Sequence, residues 1–369
     1  MSSERVVPSY TMENLPITRI DELHTHLSQL QNDPNTEINV RLLDEVELQL
    51  TEDNTPPLIP TLLPPLTEIL RTITTQDPSP LLSLTVKLLA PLNFTRGLAI
   101  ADAPSILTAL QSPLPGANLL ALAILHKAAR SPSDAAILST LPELFSELVH
   151  RWLSAADVGV GERAARVLGD VLEVDCPVVE DQPHNLSETN GTTSTELVKR
   201  RTPGHGRLWR LLFTNRQMFT IIPQLCGSAT ASGDEPRTER ELSISQGRLL
   251  RILPRLATLD IQAISKSQFT DLLPLAGSTG HGLLQWAALG MVDMTDMLMH
   301  LSVIDFFETL VSIMRVTNTG NQAQIVVKGL VKEAVSGDNE LKDALVGLPN
   351  RTVEEEAEPL RAYISQLLS

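Results

Sequence analysis

The chain has 369 residues, enough for two globular domains or one long repeat array. Its 29 basic and 44 acidic residues give a net charge of −15, which argues against a nucleic-acid partner because phosphate contacts need a basic surface. Only 3% of the residues are aromatic, and period-two alternation of β-formers is rare. We therefore predict an all-α protein.

The compartment is predicted from the cysteines and from the first 30 residues. Cys176 and Cys226 are far apart and not in a metal-ligand spacing, and no secretion signal precedes residue 30. We expect a reduced, cytoplasmic protein and leave the nucleus open as a second compartment. No apolar run reaches the roughly 20 residues of a membrane span, so we expect no membrane partner.

The N-terminal part of the chain predicts a loose arm followed by paired helices. Residues 1–15 show no periodicity, whereas apolar side chains then recur at helical spacing. The predicted helices are Ile17–Leu30, Glu37–Leu50 and Thr55–Thr74, and the prolines inside the third predict a kink or a break. The next helices are predicted from Asp77 through Leu89, at Ala103–Gln111 and at Leu114–Ala129.

The stretch from Ile137 to Asp175 is the clearest repeat unit. It predicts one helix from Ile137 to Leu153 and a second from Val160 to Leu172, joined by a short polar turn. Each apolar stripe is wider than one helix–helix seam, so the hairpin needs similar neighbours, and second helices start about every 40 residues. We predict that residues 16–369 form a single curved HEAT/armadillo-like α-solenoid of antiparallel helix pairs.

The segment 176–203 is rich in Pro, Asn, Ser, Thr and acidic residues, and we predict a disordered insertion there, with a linker between two solenoid halves as the alternative. Gly-His-Gly precedes an apolar helix with an early tryptophan twice, at 204–209 and 280–286. The other predicted helices are Arg240–Leu256, Phe269–Leu275, Met294–His300, Ser302–Met314, Gln322–Val335 and Val353–Leu368.

No motif for catalysis, nucleotide binding or metal binding is present, so we expect a non-enzymatic protein without a cofactor or metal. His205 and His281 are interpreted as helix-start residues rather than ligands. The basic run at Lys199–Arg201 is interpreted as a solvated or protein-contacting surface, with a nuclear-localisation signal as the alternative. The tryptophans are assigned to the core rather than to ligand stacking, and the Met291–Met299 cluster is assigned to the core, with an adaptable binding surface as the alternative.

Two sets of charged residues are candidates for binding a partner. Asp44, Glu45 and Glu47 lie in an acidic stretch and are either a solvated helix face or a rim that attracts a basic domain. The second set lies opposite the apolar stripe of the second hairpin helix, on a side that faces either a groove or bulk water. It consists of Glu162, Arg166 and Asp170.

Three segments resemble one known family. They are GHGRLWRLLFTNRQMFTIIPQLC (204–226), DVGVGERAARVLGDVLEVD (157–175) and MLMHLSVIDFFETLVSIM (297–314). They are similar to the 26S proteasome non-ATPase regulatory subunit 5 family of base-assembly chaperones, whose fungal relatives are often labelled DNA mismatch repair protein. The resemblance covers roughly residues 137–314.

The resemblance implies a curved helical solenoid that binds the C-terminal helical domain of one proteasomal ATPase subunit. Such a protein promotes assembly of the regulatory-particle base and prevents premature docking on the core particle. The alternative hypothesis is a HEAT-repeat adaptor in nuclear transport or DNA mismatch repair. Which ATPase subunit is bound, and by which residues, does not follow from the sequence.

Overall fold

The computed structural model describes residues 17–73, 76–177, 203–227, 237–275, 282–317 and 320–369. These residues form eighteen α-helices with short 3-10 turns and contain no strand, which confirms the all-α prediction. The chain divides into two compact units, Met1–Lys127 and Ala128–Ser369. The predicted arm at 1–15 lies outside the described residues, as do 178–202 of the predicted insertion.

The first unit contains seven α-helices. They are α1 (Ile20–Asn32), α2 (Val40–Gln49), α3 (Ile59–Thr72), α4 (Ser79–Leu89), α5 (Phe94–Ile100), α6 (Ala103–Gln111) and α7 (Pro115–Leu125). Helix α1 contacts α2 and α3, while α4 contacts α2 and α3. Neighbouring helices therefore pack in pairs, and the second pair packs on the first.

Helix α3 is not broken by its prolines. Pro64 and Pro65 both lie inside it, although each proline removes a backbone hydrogen bond and costs about 3 kcal/mol in a helix interior. The buried side chains of Leu62, Leu66 and Ile69 offset this cost. Tertiary packing thus overrides the local preference that predicted a break.

The second unit contains the remaining helices. They are α8 (Pro132–Leu138), α9 (Pro142–Ser154), α10 (Val158–Asp175), α11 (Arg207–Thr214), α12 (Arg216–Cys226), α13 (Glu239–Ser265), α14 (Leu283–Leu289), α15 (Met297–Val316), α16 (Asn321–Gly337), α17 (Asn339–Gly347) and α18 (Glu354–Leu368). Helix α8 contacts α11, α9 contacts α12, and α10 contacts α13. In this part of the unit the contacts recur at every third helix.

The structure corrects three helix predictions in this unit. The single helix expected over Ile137–Leu153 is two helices, because Pro142 occupies a first-turn position and begins α9. The helices predicted on either side of Leu301 are one continuous helix, α15, since no Gly or Pro interrupts it. The helix predicted over 269–275 is only a 3-10 turn, Thr270–Leu272.

Helix α15 is long and apolar enough to cross a membrane by length and composition alone. One side of it, including Phe306, Phe307 and Leu310, is buried in the unit. Of its most apolar 18-residue window, however, only 39% is buried. Its exposed residues lie mostly in its N-terminal half and include Met297, Leu298 and Leu301.

Candidate partner-binding surfaces

The acidic side of α2 is the first candidate surface. Asn39 caps α2 and accepts a hydrogen bond from the Leu42 amide at 3.1 Å. Leu42 and Val46 point into the core, as predicted, which turns Asp44 outward. The helix is shorter than the predicted Glu37–Leu50, so Glu37 lies outside it.

Two of the three α2 candidates already have partners within the first unit. Glu45 pairs with Arg19, which precedes α1, and with Arg41 one turn earlier at 2.9 Å. Both arginines hold the pKa of the Glu45 carboxyl below its usual value. Glu47 accepts a hydrogen bond from Ser83 Oγ at 2.8 Å. The surface is therefore less negative than the sequence suggests.

An exposed leucine lies beside the remaining carboxylate. Asp44 makes no ion pair or hydrogen bond with another described residue through its side chain, and Leu48 follows it by one helical turn. Leu48 is 86% exposed. The exposed side of α2 thus combines a carboxylate with a large apolar side chain, a combination that charge counting missed.

The second candidate surface, on α10, is covered in part by α13. The predicted stripe of α10, from Val160 to Leu172, is buried. On the opposite side, Glu162 pairs with Arg251, and Asp170 pairs with Arg255 at 2.6 Å. The expected pairing of Glu162 with Arg166 on the same helix is thus replaced by a contact between helices.

Glycines on α10 allow the arginines of α13 to approach. A Cβ at Gly161 would lie 2.2 Å from the Arg248 guanidinium, and one at Gly169 would lie 2.4 Å from Arg255 Nη1. Arg248 is buried, and its Nη1 donates to the carbonyl oxygens of Leu153 at 3.2 Å and Ala155 at 2.7 Å. Burial lowers the pKa of Arg248, and these oxygens, at the C-terminal end of α9, stabilise its charge.

This contact is a structural seam rather than an open groove. Glu162 and Asp170 hold α10 against α13, whereas Arg166 is exposed. One sequence pattern is consistent with this contact between α10 and α13. Two glycines lie eight residues apart on one helix, and two arginines lie seven residues apart on the other. Because the two helices lie far apart in the chain, the sequence could not pair them.

The two ends of the predicted insertion meet at the C-terminus of α10. The Gly204 amide donates to the Cys176 carbonyl at 3.0 Å, and the Gly206 amide donates to the Asp175 carbonyl at 2.7 Å. The buried Asp175 carboxylate accepts from the Leu208 amide at 2.6 Å and so caps α11. Burial raises the pKa of this carboxyl.

The described residues offer little reactive chemistry. No group of three or more His, Cys, Asp and Glu side chains that could hold a metal occurs among them. Burial raises the pKa of Cys176 to about 11, and it also raises that of the fully buried Cys226. Both thiols therefore stay protonated at neutral pH and are poor nucleophiles.

The remaining sequence candidates divide between the core and the surface. The three tryptophans are buried, as predicted. The Met291–Met299 cluster is split, because Met291 and Met299 are buried while Met294 and Met297 are exposed. His205 is exposed at the start of α11. His281 and Lys199–Arg201 lie outside the described residues.

The chain has no recognised relative by two sequence comparisons. Searches against protein-family models and against curated protein sequences found no match.

Proposed function

We propose that the chain is a non-enzymatic chaperone for assembly of the proteasome regulatory-particle base. It binds the C-terminal helical domain of one proteasomal ATPase subunit and prevents premature docking on the core particle. The proposal rests on the resemblance of segments 157–175, 204–226 and 297–314 to the family of base-assembly chaperones. We propose the cytoplasm as its location, with the nucleus as a second compartment.

The recurrence of helix contacts supports a repeat architecture for this function. We propose that the helices stack as a HEAT/armadillo-like solenoid. The segments that resemble the chaperone family correspond to α10, α11–α12 and most of α15. They therefore fall on several of the helices that stack within the second unit. Stacked helices give an extended surface suited to a whole protein domain.

The α2 surface is the first region that we propose for ATPase binding, because it carries an available carboxylate beside an exposed leucine. An acidic rim accelerates association with a basic domain and makes the on-rate fall with added salt. Replacing Asp44, Glu45 and Glu47 with Asn, Gln and Gln should therefore lower the on-rate at low salt and flatten its salt dependence. An unchanged on-rate and salt slope would mean that this surface is only solvated.

Affinity purification of the tagged chain from native lysate tests the proposal as a whole. We expect ATPase subunits of the regulatory particle, without core-particle subunits, to be retained at moderate salt. Retention of importins or mismatch-repair proteins instead would favour the adaptor alternative.

A further inference from the structure

A cluster of large apolar side chains is exposed at the beginning of α15. It consists of Met294, Met297, Leu298 and Leu301, and we call it the α15 patch. Met297 and Leu298 are each 75% exposed. Single exposed apolar residues are common, whereas four within eight residues form a contiguous patch of the kind that marks binding sites.

The α15 patch continues into a groove between α13 and α15. This α13–α15 groove has a volume of about 260 Å³, and Leu301 belongs to both the patch and the groove. Leu250, Pro254 and Phe306 supply apolar surface along it, while Arg251 and Asp305 supply charge. The groove is therefore lined by both apolar and polar side chains, and it adjoins the α15 patch at Leu301.

A glycine keeps the groove open on the α13 side. Gly247 lines it, and a Cβ at this position would meet no atom within 4 Å. Glycine destabilises a helix interior relative to alanine, and no neighbouring atom requires it here. Because Gly247 has no side chain, it leaves an empty space that a side chain of a partner can fill.

The charges around the patch favour a basic partner. Asp293 and Asp296 lie at its N-terminal end, and Asp305 follows Leu301 by one turn. Hydrogen bonds from Thr295 hold the pKa of Asp293 low, so this carboxylate is ionised at neutral pH. Asp305 makes no ion pair with any described residue, whereas Arg251, the cation of the groove, is already paired with Glu162.

We propose that the α15 patch and the α13–α15 groove bind a basic amphipathic helix of a partner protein. Aliphatic side chains three and four residues apart on that helix pack on Leu298 and Leu301 and enter the groove beside Gly247. Its lysines or arginines lie against Asp293, Asp296 and Asp305. Exposed methionines suit this role because they adapt to different apolar side chains.

The same acidic border argues against two other occupants. A membrane with anionic headgroups would be repelled by these carboxylates. A second copy of the chain would bring a second set of carboxylates to the same place if the two patches met about a two-fold axis. The inference requires only that the chain binds a protein, and it does not depend on the partner being a proteasomal ATPase.

A displayed library of 18-residue amphipathic helices with randomised charged positions provides the probe. It is selected on the full chain alone, and the enriched peptides are then measured against Leu298→Gln/Leu301→Gln. We expect the enriched peptides to carry net positive charge, and the double variant to weaken their binding tenfold or more. Gly247→Leu, whose Cβ meets no atom within 4 Å and whose side chain occupies part of the groove, should weaken binding similarly. Asp305→Lys should weaken it more at low salt than at high salt.

Val353→Gln provides a control, because it removes another exposed apolar side chain of the second unit, outside the patch and the groove, and should leave peptide binding unchanged. Thermal unfolding of each variant shows that it is folded. The proposal is overturned if no peptide is enriched, if the enriched peptides are acidic, or if they bind the groove variants as tightly as wild type. It is also overturned if the patch variants abolish self-association or binding to phosphatidylserine vesicles while peptide binding stays intact.

Discussion

The seam between α10 and α13 predicts that Arg248 is among the most important polar side chains for stability in the second unit. Arg248→Met keeps the apolar stem and removes the guanidinium. The Ala155 carbonyl then loses a charged donor at 2.7 Å, and the Leu153 carbonyl loses one of its two donors. Each charge-assisted hydrogen bond contributes about 1.5–3 kcal/mol, and the contributions overlap.

We expect Arg248→Met to lower the free energy of unfolding by about 2–4 kcal/mol. For a unit of this size, 1 kcal/mol corresponds to about 2–4 °C in Tm, so Tm should fall by about 4–16 °C. Differential scanning calorimetry is the assay, since it records the unfolding transitions of the full chain directly.

Arg251→Met is the matched control, with the same chemistry on the same helix one turn later. Arg251 has a side chain that is 67% exposed and pairs only with Glu162, and exposed pairs contribute at most about 1 kcal/mol. Its Tm should change by less than about 3 °C. Equal shifts for the two variants would refute the assignment of Arg248 as a buried cap of α9.

Three further predictions follow from the second unit. Replacing residues 178–202 with a short Gly/Ser linker should leave Tm nearly unchanged, because the ends already meet, and an insoluble product would show that the segment belongs to the core. Leu168→Asp should cost more than about 4 kcal/mol in urea unfolding, because it buries an unpaired charge, whereas Glu162→Ala should cost less than about 1 kcal/mol. The raised pKa of Asp175 means that its ionisation opposes folding, so it contributes stability at low pH that is lost as pH rises through the folded-state pKa. The stability of Asp175→Asn relative to wild type should therefore increase as pH rises above about 4, and a pH-independent difference in urea unfolding would contradict this.

Local sequence signals predicted many elements well. Helix α6 has its predicted bounds, Ala103–Gln111, because Asp102 caps it and Ser112-Pro113 follows it. The apolar stripe of α10 is buried as expected, since wide stripes with helical spacing have one stable placement. These features depend on neighbours within one or two turns, and such neighbours are visible in the sequence.

Features that depend on distant contacts were missed. The break before α9 was missed for a local reason, because the apolar spacing continues across residues 139–141 and masked the signal of Pro142. The partners of Glu162 and Asp170 come from a helix more than 80 residues later, as the separations of their hydrogen bonds show. No local pattern revealed that these two candidates for partner binding also join α10 to α13.

The exposure of Leu48 and of the α15 patch likewise could not be predicted from the sequence. Both lie in helices whose apolar residues suggest core positions, and only the packing of neighbouring helices shows which of them stay uncovered. Apolar character alone therefore could not separate the core from an interaction surface.

The central claim is that the chain recognises the C-terminal helical domain of one proteasomal ATPase subunit. Its most direct test is calorimetric titration of the full chain with each of these domains, purified individually at the same salt concentration. The claim predicts that one domain binds with a stoichiometry of one, at least tenfold more tightly than the others. If none of the domains binds, or if all bind with the same weak affinity, the claim is contradicted.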